Sequence, residues 1–332
     1  CVLFVLCIII VIIYIIFGST SGCDNLMMED GIYGMSVLNN VITWRWEPNY
    51  YKRWTDVDSI VNLDILPKIY DYFDWIIFDT YQLKKIPNPK TVFIVPRFIE
   101  TSNGFDYVKD LPILRVGEKR ILCVLGSDTH SSILTSEQKS ILQSRFSSIF
   151  WEANVDEDFL TLPQGLNAAY TGKLGIKNVD KAIQDAKTKH NRKLVCASWG
   201  KVNPVLDYKI PSRKRLIQFI EKNDWIQRSM WEPSDYYRNL SEYTFLLAGT
   251  GNGLQAPKIF EAILVRTIPV VENILVFRQL RDLGVPLLIV ETWDDLTEDY
   301  LIQQKKELHI DWGRAHYLIS VQGVIDMISK HV

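Results

Sequence analysis

Two α/β halves, each a Rossmann-like, doubly wound sheet, are what this 332-residue chain predicts, behind an apolar N-terminal segment. Three observations lead there. Short β-favouring apolar runs alternate with helical stretches, the pattern of parallel strands covered by helices on both faces. A charged stretch from Asn178 to Arg192 divides the runs into two blocks. The second block contains Tyr243-Thr-Phe-Leu-Leu-Ala-Gly249-Thr-Gly251-Asn-Gly253, followed by a run from Pro257 that ends in Ile268-Pro-Val-Val-Glu272, and the whole reads as strand, glycine loop, helix and strand. That succession is the layout of a nucleotide-diphosphate site, because glycines let backbone approach a ligand and a helix N-terminus presents free N–H groups to phosphate.

Composition narrows the class. With 47% apolar and 23% charged residues, the chain can bury one large core or two medium ones. A net charge of −2, with Lys and Arg spread along the sequence, gives no footprint for nucleic acid. The cysteines at 1, 7, 23, 123 and 196 have no metal-ligand spacing. Buried free thiols are the reading for Cys123 and Cys196.

The elements follow in order. Cys1 to Phe17 is apolar without a charge, and with the small residues up to Ser21 it approaches the roughly 20 residues that span a bilayer, so residues 1–21 are expected to be a membrane anchor. A cleaved signal segment is the alternative, given Gly18-Ser-Thr-Ser-Gly22. Residues 22–185 form the first half, with strands expected at Trp75 to Phe78, Thr91 to Val95, Arg120 to Leu125, Ser148 to Trp151 and Phe159 to Leu162, and a helix from Ser136 to Phe146. Asn178 to Arg192 is expected to be a surface helix running into a linker. Residues 186–310 form the second half. It carries a strand from Lys193 to Trp199, helices at Arg213 to Glu221 and Ser234 to Glu242, a segment from Trp225 to Trp231, the glycine-loop unit, and a strand from Val285 to Val290. Residues 311–332 are expected to hold a C-terminal helix that can return to the first half. Asn239-Leu-Ser241 is an N-glycosylation triplet, which fits a lumenal domain.

The loop admits two chemistries. Gly251-x-Gly253-x-x-Ala256 with Glu272 about 20 residues on satisfies the relaxed dinucleotide fingerprint and would make the protein an NAD(P)-dependent oxidoreductase. A domain starting at Tyr243, however, leaves about 60 residues after Glu272 for the remaining strands of such a fold. The loop falls late in a domain that began near Lys193.

Several segments resemble the exostosin-like glycosyltransferases. They are Ser241 to Gly253, Lys258-Ile-Phe-Glu261-Ala-Ile, Ile268-Pro-Val-Val-Glu272 and Leu283 to Thr297, with Val124-Leu-Gly-Ser-Asp128-Thr-His130-Ser and Leu162-Pro-Gln-Gly165-Leu upstream. The resemblance implies a GT-B fold whose second half holds a nucleotide-sugar donor and whose first half holds an acceptor. It also implies a Golgi or endoplasmic reticulum enzyme of type II topology with a lumenal catalytic domain. The sequence departs from the family at four positions, where members usually carry Pro near Gly249, an acidic residue near Gln255, Arg at Lys258 and Gly at Arg266. An inactive, sugar-nucleotide- or glycan-binding relative is therefore a further reading.

Glycosyl transfer needs the leaving diphosphate stabilised as the anomeric carbon becomes positive. Gly251, Asn252 and Gly253 are expected to supply backbone donors. Lys258, Arg213 or Arg215 would supply cations, and Gln255 and Glu272 are further donor-site candidates. The resemblance puts Glu261 on ribose or sugar hydroxyls. Inversion needs a base within hydrogen-bond reach of the acceptor hydroxyl, and Asp128 and His130 are the candidates, with Glu152 and Asp156 behind them. The Asp-x-Asp triplets at Asp56 and Asp58 and at Asp156 and Asp158 match a metal-binding pattern too short to carry weight, so no metal and no cofactor are expected.

Overall fold

The structure is a computed structural model that describes residues 71–77, 82–94, 103–125, 129–165, 176–198, 213–251 and 253–332. The apolar N-terminal stretch, Asp56, Asp58, Asp128 and Asn252 lie outside the described residues. Within them, no helix is long and apolar enough to cross a membrane.

The first sheet comprises β1 (Trp75–Ile77), β2 (Gln82–Lys84), β3 (Thr91–Ile94), β4 (Ile121–Val124) and β5 (Ser148–Trp151), in the order β2-β1-β3-β4-β5. Four strands run parallel and β2 pairs antiparallel on the edge. The strand β2 has no apolar alternation to betray it and forms as the return of a short hairpin. Two helices accompany this sheet, α1 (Asn103–Lys109) and α2 (Ser136–Arg145). The cap of α2 is Thr135, one residue before the expected Ser136. Its hydroxyl accepts from Gln138 N while the Gln138 side chain accepts from Thr135 N, a reciprocal capping box.

Phe159 to Leu162 is not a strand. It pairs with β5 only around Leu160. The Phe159 carbonyl is taken by the side chains of Asn154 and Gln279, and Pro163 has no N–H to continue a ladder.

The charged divider is a helix running into irregular chain, as expected, but one with a buried face. Helix α3 (Ile176–Thr188) buries Val179, Ala182, Ile183 and Ala186, an i, i+3, i+4, i+7 stripe that the surrounding charges conceal in sequence. It packs on α5 (Tyr236–Leu240) of the second half, so the boundary expected at residue 185 falls inside a helix belonging to that half.

The second sheet holds β6 (Lys193–Ala197), β7 (Gln227–Arg228), β8 (Tyr243–Leu247), β9 (Ile268–Glu272) and β10 (Leu288–Val290), all parallel, in the order β10-β9-β8-β6-β7. Both faces are covered, and alternation along the strands sends side chains to opposite cores. Phe245 and Leu247 join Val195, Leu216, Val270 and Leu301 on one face. Leu246 joins the larger cluster on the other, which runs on to Ile76, Leu122 and Trp151 of the first sheet. Full burial of a side chain such as Phe245 contributes about 2–3 kcal/mol.

The remaining helices are α4 (Arg213–Glu221), α6 (Pro257–Leu264), α7 (Leu275–Asp282), α8 (Glu298–Glu307), α9 (Trp312–Leu318) and α10 (Val321–Ser329). The chain end contacts residues of the first sheet and its flanks. Ser329 Oγ donates to Tyr72 Oη at 3.1 Å, Lys119 Nζ donates to Val332 O at 3.1 Å, and the His331 ring stands edge-on to Phe150.

In chain order the second sheet reads 2-1-3-4-5, the flavodoxin-like succession. After β6 the chain builds β7 on one side, then crosses to build β8 on the other, so the strand order reverses between β6 and β8. Ligands of open α/β sheets bind at the carboxyl ends of the strands flanking such a switch point.

Candidate functional site

The glycine loop leaves the carboxyl end of β8 and therefore borders this switch point. Glycine is required here for close approach, since Gly249 and Gly251 do not have positive φ. A Cβ on Gly249 would lie 2.9 Å from Leu216 Cδ2, so this glycine lets the loop seat on α4. A Cβ on Gly251 would lie 2.6 Å from Arg213 Nη2, so that glycine makes room for the guanidinium. The Gly251 N–H donates to Gly253 O at 3.1 Å, so this expected donor is engaged within the loop.

Helix α6 starts with Pro257, which has no N–H to offer, and has no side-chain cap at Ala256, while the Ile259 N–H donates back to Ala256 O at 2.9 Å. Lys258 projects from this first turn across the switch point. Its Nζ donates to Ser198 O, just past the end of β6, at 2.6 Å, and lies 5.3 Å from the Tyr236 ring centroid.

The electrostatics of this corner are unusual. Lys258 and Arg213 make no ion pair with any carboxylate among the described residues. Burial lowers the Lys258 ammonium to about 8; Glu261 opposes that shift, and the Arg213 charge adds to it. Burial also lowers Arg213. Two desolvated cations thus repel each other beside a helix N-terminus that is itself partly positive, and an anion between them would relieve all three.

Glu261 lies one turn along α6 and is 2% exposed. Burial raises its carboxyl, with the Lys258 charge and then the Tyr236 hydroxyl opposing. Tyr236 Oη is near enough to be felt but not aligned into a bond, because it and Glu261 Oε2 are both sealed without a well-formed hydrogen-bond partner. Glu272 ends β9 on the other side of β8. Burial raises it to about 7, with the Trp293 indole and Arg215 favouring its charged form. Arg213 and Arg215, two residues apart on a helix, point in different directions, and the structure divides them accordingly. Arg213 borders the loop, while Arg215 acts on Glu272.

Gln255 has a different place from the one expected. Its carboxamide is 2% exposed and faces the first half, donating from Nε2 to Glu152 O at 2.7 Å and Leu162 O at 2.9 Å and accepting from Gln164 N at 2.8 Å. With both amide hydrogens engaged, it is a link between the halves rather than a donor contact. It brings Glu152 beside the loop, and Gln164 Nε2 donates to the Glu152 carboxylate at 2.6 Å.

The other candidates of the first half separate. His130 is buried beyond β4 in a bridge with Ala153. Asp156 is not available as a base, because Lys139 holds it at 2.8 Å and Asp158 at 2.7 Å, and the triplet closes on itself with Asp158 N donating to Asp156 Oδ1 at 3.0 Å. No cluster of three metal-ligating side chains occurs among the described residues.

Arg266 is remote from the site. It lies past the carboxyl end of α6 at φ 58°, the left-handed region, and its Nη1 reaches toward Lys187 O at 3.5 Å. Sequence reasoning missed Tyr236, Ser198 and the bridging role of Gln164. Only Gln164 had a signal, as part of Leu162-Pro-Gln-Gly165. No family model matches the chain, and no curated protein matches it.

Proposed function

We propose that the second half binds the diphosphate of a nucleotide sugar at the β6/β8 switch point and that the protein is a glycosyltransferase. The observation that carries this reading is the pair of desolvated cations, Arg213 and Lys258, which make no ion pair with a carboxylate among the described residues and stand at the glycine loop and the start of α6. A diphosphate would neutralise both. Its charge grows as the bond from the anomeric carbon to the phosphate oxygen breaks, so both cations act more strongly on the transition state than on the ground state. Glu261 and Tyr236, with unpartnered buried oxygens behind Lys258, suit the hydroxyl-bearing part of the donor.

The acceptor hydroxyl enters from the first half. Its oxygen forms the new bond to carbon while its proton passes to a base there, Asp128, His130 or Glu152, and the product is an inverted glycoside. UDP is the nucleotide we assign, with a glycan or glycoprotein as acceptor and no metal. The GT-B arrangement of the halves and the lumenal, membrane-anchored setting belong to the same reading. They are supported by the 2-1-3-4-5 sheet, the chain end contacting the first sheet and its flanks, and the apolar run Cys1 to Phe17. The dinucleotide reading is disfavoured by the loop following the third strand of its sheet in chain order rather than the first.

A thermal-shift panel of UDP-sugars, GDP-sugars, NAD and NADP, followed by an assay of UDP release, tests the assignment. The expected result is stabilisation by a UDP-sugar and its slow turnover. Stabilisation by NAD alone would overturn it, and binding without turnover would favour an inactive relative.

A further inference from the structure

We propose that Gln255 is a positioning residue that couples occupancy of the glycine loop to the docking of the two halves. The proposal rests on the loop being a phosphate site. Gln255 lies two residues after Gly253 and three before Lys258, inside the segment that must hold the anion. Its carboxamide nevertheless spends two donors and one acceptor on Glu152 O, Leu162 O and Gln164 N of the other half. A glutamate has no hydrogen to offer the two carbonyls, so the amide is specifically suited to this place. Gln164 closes a ring by donating to the Glu152 carboxylate. The loop cannot shift toward or away from a ligand without straining bonds whose other ends sit in the first half.

A second, separate link joins the halves. Gln279 on α7 donates to Phe159 O at 2.9 Å and accepts from Thr161 Oγ1 at 2.5 Å and Asn154 Nδ2 at 3.1 Å. Gln279 is not in the loop. It therefore serves as a control, since loss of either link loosens the seam but only loss of Gln255 frees the loop. An anion that orders the loop also orders the Gln255 contacts, and by reciprocity those contacts favour the anion.

The test uses the full chain and inorganic pyrophosphate. Calorimetry should show binding to the wild type, roughly tenfold weaker binding to Gln255→Met, and near-unchanged binding to Gln279→Met. Hydrogen exchange at the Gln164 amide, which donates to Gln255 Oε1, should slow when pyrophosphate saturates the wild type. That arm needs no variant and is read against a first-sheet amide such as Leu122, which slows only as far as pyrophosphate raises global stability; a purely structural role would slow Gln164 no more than Leu122. Equal affinity in Gln255→Met, an equal loss in Gln279→Met, or Gln164 exchange slowed no more than that of Leu122 in a protein that binds pyrophosphate would each overturn the coupling alone. No binding by the wild type would sink the loop reading and the coupling with it.

Discussion

Arg266→Gly isolates a backbone cost that the structure makes explicit. Arg266 follows the last turn of α6 at φ 58°. A side chain in that conformation costs about 1–2 kcal/mol, and glycine takes it without that cost. Glycine gives back about 0.5–1 kcal/mol through the greater freedom of its unfolded chain. The lost Nη1 contact with Lys187 O, 3.5 Å long and exposed, is worth little. The deletion also removes a buried Nε with no partner and a charge that helps to lower the Arg192 guanidinium to about 10 after burial itself. The net expectation is a gain of about 1 kcal/mol in urea unfolding, with an unchanged slope. Arg266→Ala keeps the strained backbone and deletes the charge, so it should fall about 1 kcal/mol below the glycine variant. Pyrophosphate affinity should be the same in both. If alanine equals or exceeds glycine, the backbone argument fails; if either variant alters anion affinity, Arg266 has been wrongly placed outside the site.

Further predictions separate packing from binding. Gly249→Ala should destabilise by about 1–3 kcal/mol because its Cβ meets Leu216 at 2.9 Å, while Gly251→Ala should leave urea stability nearly intact and weaken pyrophosphate binding by displacing Arg213. Lys258 has a folded value of about 8 against 10.5 unfolded, so the unfolded chain binds more protons between those limits and stability should rise with pH across that window, a slope absent in Lys258→Met. An anion beside Lys258 raises its pKa again, so binding at pH 9 should take up protons, seen as a dependence of calorimetric enthalpy on the buffer. Glu272, raised to about 7 from 4.5, makes the folded state bind more protons in that interval; stability should fall with pH across it, and Glu272→Gln should remove the fall.

Much of the second half was legible because its signals are local. Pro257 at the helix start, the three-glycine turn and the apolar runs of β8 and β9 each dictate their own conformation; α4 has the bounds the sequence suggests, and α6 starts where Pro257 suggests. The polar edge strand β2 and the buried stripe of α3 were not legible, since one depends on a hairpin partner and the other hides among charges. At the candidate site, type and spacing suggested Lys258 and the glycines, and the resemblance suggested Glu261. The sequence could not show that Gln255 turns to the first half, because its partners are backbone atoms roughly 90 to 100 residues away. Nor could it show that Arg266 needs left-handed backbone, although the glycine usual there in the resembled family is the residue such a conformation favours.

The proposed function requires that Arg213 and Lys258 form one anion site. Calorimetric titration of UDP into the wild type and into Arg213→Ala/Lys258→Ala measures that directly. We expect binding to the wild type and at least about a hundredfold loss in the double variant, from removing two charge-assisted contacts worth roughly 1.5–3 kcal/mol each. UDP affinity that survives the double substitution, or a wild type that does not bind UDP at all, would contradict it.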